Sequence, residues 1–169
     1  NEALVRLAST DELTGLLNRR GIQARVQSEL SRAAREGTEL SVVLCDVDHF
    51  KAINDKYGHD TGDKALKLLA GQLGNAIRVS DSVGRWGGEE FIFILPQTLA
   101  VNANQVAEKI QETLQIHLVD YQGDKIKVTV SMGIEQFKAE HTIDEVINNA
   151  DKSLYQAKNA GRNQIFPKF

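Results

Sequence analysis

The residues Asp81–Pro96, DSVGRWGGEEFIFILP, decide how the chain is read. The runs DSVGRW and EFIFILP have strand composition, and Gly87 and Gly88 separate them. The stretch therefore predicts a β-hairpin closed by a two-residue turn that uses the positive backbone angles open to glycine. Glu89 and Glu90 follow at once, placing two carboxylates where a strand begins. By pattern alone they equally describe ordinary acids at a solvent-exposed hairpin tip.

Upstream, ELSVVLCDV (39–47) is an apolar run of strand length and reads as a buried strand. Before it, Asn18 caps a helix in which Ile22, Val26 and Leu30 recur every four residues as far as Gly37. Leu66, Leu69, Leu73 and Ile77 stripe a second helix from about Asp60 to Arg78, and Val106, Ile110 and Leu114 mark a third. HLVDYQGDKIKVTVSMGI (117–134) predicts a hairpin turning at Gln122-Gly123 and feeding a further strand. Ile143, Val146, Ile147, Ala150, Leu154 and Ala157 keep the helical period from about Thr142 to Asn159. Helices alternating with strand pairs, without repeats or proline-rich linkers, predict an α+β layer fold in which helices cover a sheet.

The 169 residues suit one domain, and an apolar content of 41% supplies a sizeable core. A net charge of −3 argues against a general binder of nucleic acid or anionic membranes, which rely on basic surfaces. Cys45 stands alone inside an apolar run, which suits a buried thiol in a reducing, cytoplasmic compartment. No apolar segment approaches the roughly 20 residues of a membrane helix. In NEALVRLAST, Leu4 and Leu7 fall on one side of a helix that has barely begun. Residues 1–10 are therefore expected to end an upstream signalling helix or linker, with the domain proper spanning 11–169.

Asp46 and Asp48 stand two apart at the end of the buried strand and share a face if the strand continues. Alone, such a pair also describes a solvated strand end or a helix cap. Carboxylates and backbone carbonyls at a strand end suit Mg²⁺, which in turn holds substrate phosphates. Should the hairpin lie beside this strand in one sheet, Glu89 would stand near Asp46, and the two could share metal.

Four stretches resemble the GGDEF diguanylate cyclases: DELTGLLNRR (11–20), DVDHFKAINDKYGHDTGD (46–63), GGEEF (87–91) and ADKSLYQAKNAGRN (150–163). The second residue of the acidic pair in GGEEF follows the family pattern, and the first is its glutamate variant. The resemblance implies a GGDEF, nucleotidyl-cyclase palm-like fold with a central, mostly antiparallel sheet flanked by helices. It also implies two GTP molecules as substrate, cyclic di-GMP as product, and Mg²⁺ or Mn²⁺, two per active site. On it, Asp46, the Val47 carbonyl and Glu89 match metal ligands, and Glu90 matches a carboxylate that either binds metal or deprotonates the attacking hydroxyl. Asn54 and Asp63 match guanine-reading positions. Lys158 and Arg162 match triphosphate contacts, Phe50 and Lys51 backbone near the phosphates, and Gly87 and Gly88 a turn beneath the nucleotide. His59 belongs to the matching stretch too.

RVSD (78–81) matches an inhibitory RxxD site for cyclic di-GMP, with Lys109 where many relatives have a further arginine. The expected assembly is a homodimer, one GTP per subunit, driven by an upstream sensory domain. The rival readings are a catalytically silent GTP- or cyclic di-GMP-binding regulatory module and a cyclase with relaxed base choice. Outside the resemblance, Asp63 and Asn54 read as ordinary helix-start and turn residues, and Lys158, Arg162 and Arg78 as cations at helix C-termini.

Overall fold

The computed structural model describes residues 1–169 apart from the side chains of Arg6 and Leu7. The expected pairing of Leu4 with Leu7 thus lies outside the described residues. In chain order the elements are α1 (Glu2–Ser9), α2 (Arg19–Glu36), β1 (Leu40–Val47), α3 (Phe50–Tyr57), α4 (His59–Ala76), β2 (Ser82–Arg85) and β3 (Glu90–Pro96). There follow α5 (Ala100–Ile116), β4 (Val119–Tyr121), β5 (Asp124–Ile126), β6 (Val130–Gln136), α6 (Ile143–Asn159) and β7 (Ile165–Phe166).

The main sheet has the order β2-β3-β1-β6-β7, antiparallel except for the β6–β7 pair. β1 is central and buried along its whole length, which is why it reads as an unbroken apolar run. Its alternate residues feed two layers. Val43, Cys45 and Val47 join Phe91, Phe93 and the inner faces of α4 and α5, whereas Val42 and Leu44 join Ile92, Ile94 and the faces of α2 and α6. The β4–β5 hairpin forms a small sheet of its own and turns through Gln122 and Gly123 at φ 50° and 89°, as its sequence predicts.

Helix ends follow their sequence signals. Asn18 accepts a hydrogen bond from the Gly21 N–H at 2.9 Å, and Gly37 closes α2 in the left-handed region. Thr142 and Glu145 form a capping box at the start of α6. α6 then lies very close to β6: a Cβ on Gly133 would stand 2.2 Å from the Ala150 carbonyl oxygen and 2.3 Å from the Leu154 nitrogen. The glycine lets the helix backbone rest on the strand, and that contact fixes where the end of α6 delivers Lys158.

Several expectations are corrected. Gly87 and Gly88 do not form a two-residue turn with positive angles. β2 ends at Arg85 and β3 begins at Glu90, leaving the four-residue loop Trp86–Glu89, and neither glycine has positive φ. The loop is closed by Trp86 and Gly87 N–H groups donating to the Glu90 carbonyl at 2.7 and 3.2 Å. α4 stops at Ala76, before the expected Arg78, because Ile77 is extended (φ −107°, ψ 156°). α3 has no apolar stripe to announce it, since only Ile53 in it is buried. β7 is two residues long and leaves no periodicity to read.

Candidate active site

The register of the sheet sets Asp46 of β1 opposite Glu90 of β3 on one side and Ser131 of β6 on the other. The Val47 N–H donates to the Glu89 carbonyl at 3.2 Å, so the acidic loop is tied to the end of β1. Asp46, Val47, Phe50, Lys51, Glu89, Lys158 and Arg162 line a cleft of about 180 Å³. Lys158, one-third exposed at the end of α6, donates to the Asp46 carboxylate. The structure thus brings these residues together from three elements and two loops that the sequence scatters over more than a hundred positions.

The acids there are crowded. Burial raises the proton affinity of Asp46, against the opposing pull of the Lys158 ammonium. Burial also raises those of Glu89 and Glu90, and the charge of Asp46 adds to both. Three carboxylates whose ionisation is disfavoured stand together, with Lys158 the cation paired to one of them. Among the described residues no three histidine, cysteine, aspartate or glutamate side chains enclose a metal ion. Asp46 and Glu89 are hard oxygen donors of the kind that suits Mg²⁺, an ion that usually keeps several waters and is held by one or two carboxylates together with phosphate.

Neighbouring features suit an anion. His49 turns the chain in the left-handed region (φ 54°) between β1 and α3, and α3 opens with no side-chain cap. Its first N–H groups, at Phe50 and Lys51, are of the kind that receive phosphate. On the other side, Gly161, Arg162 and Asn163 all have positive φ. Their turn is held by Asp48, whose carboxylate accepts from the Asn163 N–H at 2.9 Å, the Thr129 hydroxyl at 2.7 Å and the Ser131 hydroxyl at 2.6 Å. Asp48 is fully engaged as a clip between β1, the strand-β6 side and the turn that carries Arg162. Both acids of the DxD pair line the cleft, and Asp48 in addition braces it through these three hydrogen bonds.

A second brace holds the acidic loop from behind. Arg85 donates to the Gly88 carbonyl at 3.1 and 2.7 Å and to both Asp11 carboxylate oxygens at 3.2 and 3.3 Å. Asp11 also accepts from the Thr14 N–H and hydroxyl. Neither Asp11 nor Arg85 was an expected site residue, although Asp11 opens the matching stretch 11–20 and Arg85 stands two before the glycines. A Cβ on Gly87 would lie 3.1 Å from Glu90 Oε2, whereas one on Gly88 would meet open space.

Asn54 stands in the middle of α3 and Asp63 in α4, and neither lines the cleft; Asn54 and the cleft residue Phe50 both approach Gly62 of α4. His59 is the first residue of α4 and is exposed. Arg78, Asp81 and Lys109 come together elsewhere, in a cavity of about 410 Å³ that also includes Thr98, Asn102 and Gln105. There the Arg78 guanidinium donates to Asp81 at 3.1 and 3.3 Å, to the Thr98 hydroxyl at 2.8 Å and to the Pro96 carbonyl at 3.1 Å. The Asp81 side chain is 2% exposed and that of Arg78 60%, so the arginine is the exposed member of the pair.

A sequence model described as "Diguanylate cyclase, GGDEF domain" matches residues 8–164. The chain belongs to the GGDEF domain family. It is 39% identical over 94% of its length to the diguanylate cyclase DgcP of Pseudomonas aeruginosa, and 38% identical over 97% to the response regulator PleD of Caulobacter vibrioides. It spans 24% and 37% of those proteins. The GGDEF domain of DgcB from Caulobacter crescentus, solved in complex with c-di-GMP, superposes with a TM-score of 0.90 at 31% identity, covering 94% of this chain and 92% of that one. The α+β fold with its largely antiparallel sheet is that of the family.

Proposed function

We propose that this GGDEF domain condenses two GTP molecules into cyclic di-GMP, working as a homodimer with one nucleotide per subunit. The observation that carries the reading is the cleft in which Asp46 and Glu89 stand beside Lys158, Arg162 and the open start of α3, with Glu90 paired across the sheet from Asp46. Carboxylates suited to a hard cation stand against cations and N–H donors suited to a triphosphate. A silent binding module would need no such crowding of acids.

Asp46, the Val47 carbonyl and Glu89 would hold Mg²⁺, up to two ions with GTP bound. When bound, Mg²⁺ or Mn²⁺ neutralises charge on the entering and leaving oxygens. Lys158 and Arg162 clasp the phosphates, Phe50 and Lys51 donate through their backbone, and Gly88 leaves space for the nucleotide. Asn54 and Asp63 read guanine, and His59 stands at the margin. In each step a ribose 3′-oxygen bonds to the α-phosphorus of the other GTP, the α–β anhydride bond breaks and pyrophosphate leaves. Glu90, made more basic by burial and by Asp46, takes the hydroxyl proton. Two such steps close the ring, so the two subunits must face each other about a two-fold axis. Residues 1–10 would transmit the approach of the subunits from an upstream sensory domain; α1 leaves Leu4 and Val5 64% and 63% exposed for a partner helix. Incubation with GTP and Mg²⁺, followed by nucleotide separation, tests the reading: cyclic di-GMP with pyrophosphate supports it, and unchanged GTP contradicts it. A matching reaction with ATP would favour relaxed base choice.

The metal assignment has a pH signature. The raised proton affinities of Asp46, Glu89 and Glu90 contribute stability below the ordinary carboxylate range, near pH 4, and that contribution is lost as pH climbs through the raised values. A cation binding the ionised acids should therefore restore more stability at pH 8 than at pH 5. At ten times its Kd, Mg²⁺ is expected to add about 1.4 kcal/mol, or about 3–5 °C in melting temperature at pH 8. The same gain at both pH values, or in Asp46→Asn, would contradict the assignment.

The cavity of Arg78, Asp81 and Lys109 is proposed as an inhibitory site for the product. Arg78 presents a planar fork suited to phosphate or a guanine edge, already oriented by Asp81 and Thr98. Lys109 supplies charge without that fork. Arg78→Ala and Asp81→Ala are expected to raise the product concentration giving half-inhibition about tenfold or more, loss of one charge-assisted contact being enough. Progress curves with added cyclic di-GMP decide it, each variant compared with its own uninhibited rate. Inhibition as strong as in the parent would place the effect elsewhere.

A further inference from the structure

We propose that Gly62 is a specificity-determining position: its missing side chain seats the Asn54 carboxamide oxygen and so turns the amide's NH₂ outward as a donor to the base. This rests on the reading of Asn54 and Asp63 as guanine contacts. A Cβ on Gly62 would stand 1.8 Å from Asn54 Oδ1, 2.9 Å from its Cγ and 3.2 Å from Phe50 Cζ. The volume of one methyl group is thus already filled, chiefly by the asparagine oxygen.

No backbone requirement explains the glycine. Gly62 lies within α4 and is absent from the residues of positive φ. In a helix interior glycine is less favourable than alanine, so the space it leaves is what the position supplies. Asn54 Oδ1 is buried without a hydrogen-bond partner among the described residues. Facing a glycine Cα–H, an oxygen still makes a weak favourable contact, whereas an NH₂ turned there would strand two donors against hydrogen atoms. The oxygen belongs inside and the NH₂ outside.

The amide is seated at Gly62, whose neighbour along the chain is Asp63, an exposed carboxylate that only accepts. The site then offers a donor and an acceptor of fixed polarity. Guanine presents acceptors at O6 and N7 and donors at N1 and N2; adenine has an acceptor at N1 and its donor at N6, so the carboxylate finds no matching N–H pair. Fixing the amide removes its freedom to flip and serve either base. Phe50, packed at the same point, ties this corner to the phosphate end of the cleft.

A mutant cycle separates this role from mere packing. The probes are 3′-deoxy-GTP and 3′-deoxy-ATP, which lack the attacking hydroxyl, titrated calorimetrically with Mg²⁺ into the parent chain, Gly62→Ala, Asn54→Ala and the double variant. Gly62→Ala and Asn54→Ala are each expected to weaken 3′-deoxy-GTP about tenfold, the loss of a hydrogen bond that leaves its partner unpaired. The double variant should bind no more weakly than Asn54→Ala, because the shortened side chain leaves room for the methyl. Binding of 3′-deoxy-ATP should not change with Gly62→Ala. A Gly62→Ala chain that fails to fold beside a double variant that folds would show the same steric link. An equal loss from Gly62→Ala in both backgrounds, or an equal loss with both nucleotides, overturns the proposal. If Asn54→Ala leaves 3′-deoxy-GTP binding unchanged, the guanine assignment itself falls, a result distinct from failure at Gly62 alone.

Discussion

Asp46→Asn and Glu89→Gln are each expected to lower cyclic di-GMP formation by about a thousandfold or more, since charge stabilisation by a metal is worth several kcal/mol and each 1.4 kcal/mol is tenfold in rate. Both substitutions keep the side-chain volume and remove one anionic oxygen. The fold should survive, because burial already disfavours the charged form of each acid and the amide relieves that cost. Asp46→Asn also releases Lys158 from its ion pair, but the lysine is partly solvated and the lost pair costs little. Pyrophosphate release measured beside a thermal melt checks both halves. Rates within a few-fold of the parent, with Mg²⁺ as the sole divalent cation, would remove these acids from the metal site.

Gly133→Ala is expected to have the largest effect on stability. The added Cβ would meet the Ala150 oxygen and the Leu154 nitrogen at 2.2 and 2.3 Å, and both are backbone atoms of a helix that cannot step aside one residue at a time. Pushing α6 off β6 is expected to cost about 3 kcal/mol, lowering the melting temperature by about 6–12 °C. It should also impair turnover, since α6 delivers Lys158 and, through the following turn, Arg162. Gly71→Ala is the control: the position is exposed in α4 with open space around it, so alanine should stabilise by about 0.5–1 kcal/mol. Equal melting of Gly133→Ala and the parent would show that α6 can relax, and that the close approach is not what positions the cleft.

The legible parts of the fold were those with strong periodicity or unambiguous punctuation. α2 announced itself through Asn18, its four-residue stripe and Gly37, and the β4–β5 turn through Gln122-Gly123. α3 stayed hidden because one buried isoleucine makes no stripe. The glycine pair misled for a physical reason: glycine serves a hairpin either through its backbone angles or through the space it leaves, and sequence alone does not tell these apart. Gly87 turned out to serve space, beside Glu90.

Site residues were legible where the chemistry demands a residue type, as for Asp46 and the acidic loop, and illegible where a residue acts through another. Asp48 looked like half of a metal pair, yet three hydrogen bonds from distant donors engage it. Asp11 and Arg85, 74 positions apart, meet only once β2 is in the sheet. Long-range pairs of this kind have no local signature: the register of β1 with β6 brings Asp48 to its partners, and the bridge from β2 to Leu17 brings Arg85 to Asp11.

The central claim is that catalysis needs two copies of the domain, each carrying one GTP. Specific activity of the chain with saturating GTP and Mg²⁺, followed as protein concentration is raised and compared with its state in solution, tests this most directly. The account predicts cyclic di-GMP formation whose rate per chain rises with concentration and levels off as dimers fill. Product formed at a constant rate per chain by a monomer, or no cyclic di-GMP at any concentration, would contradict it.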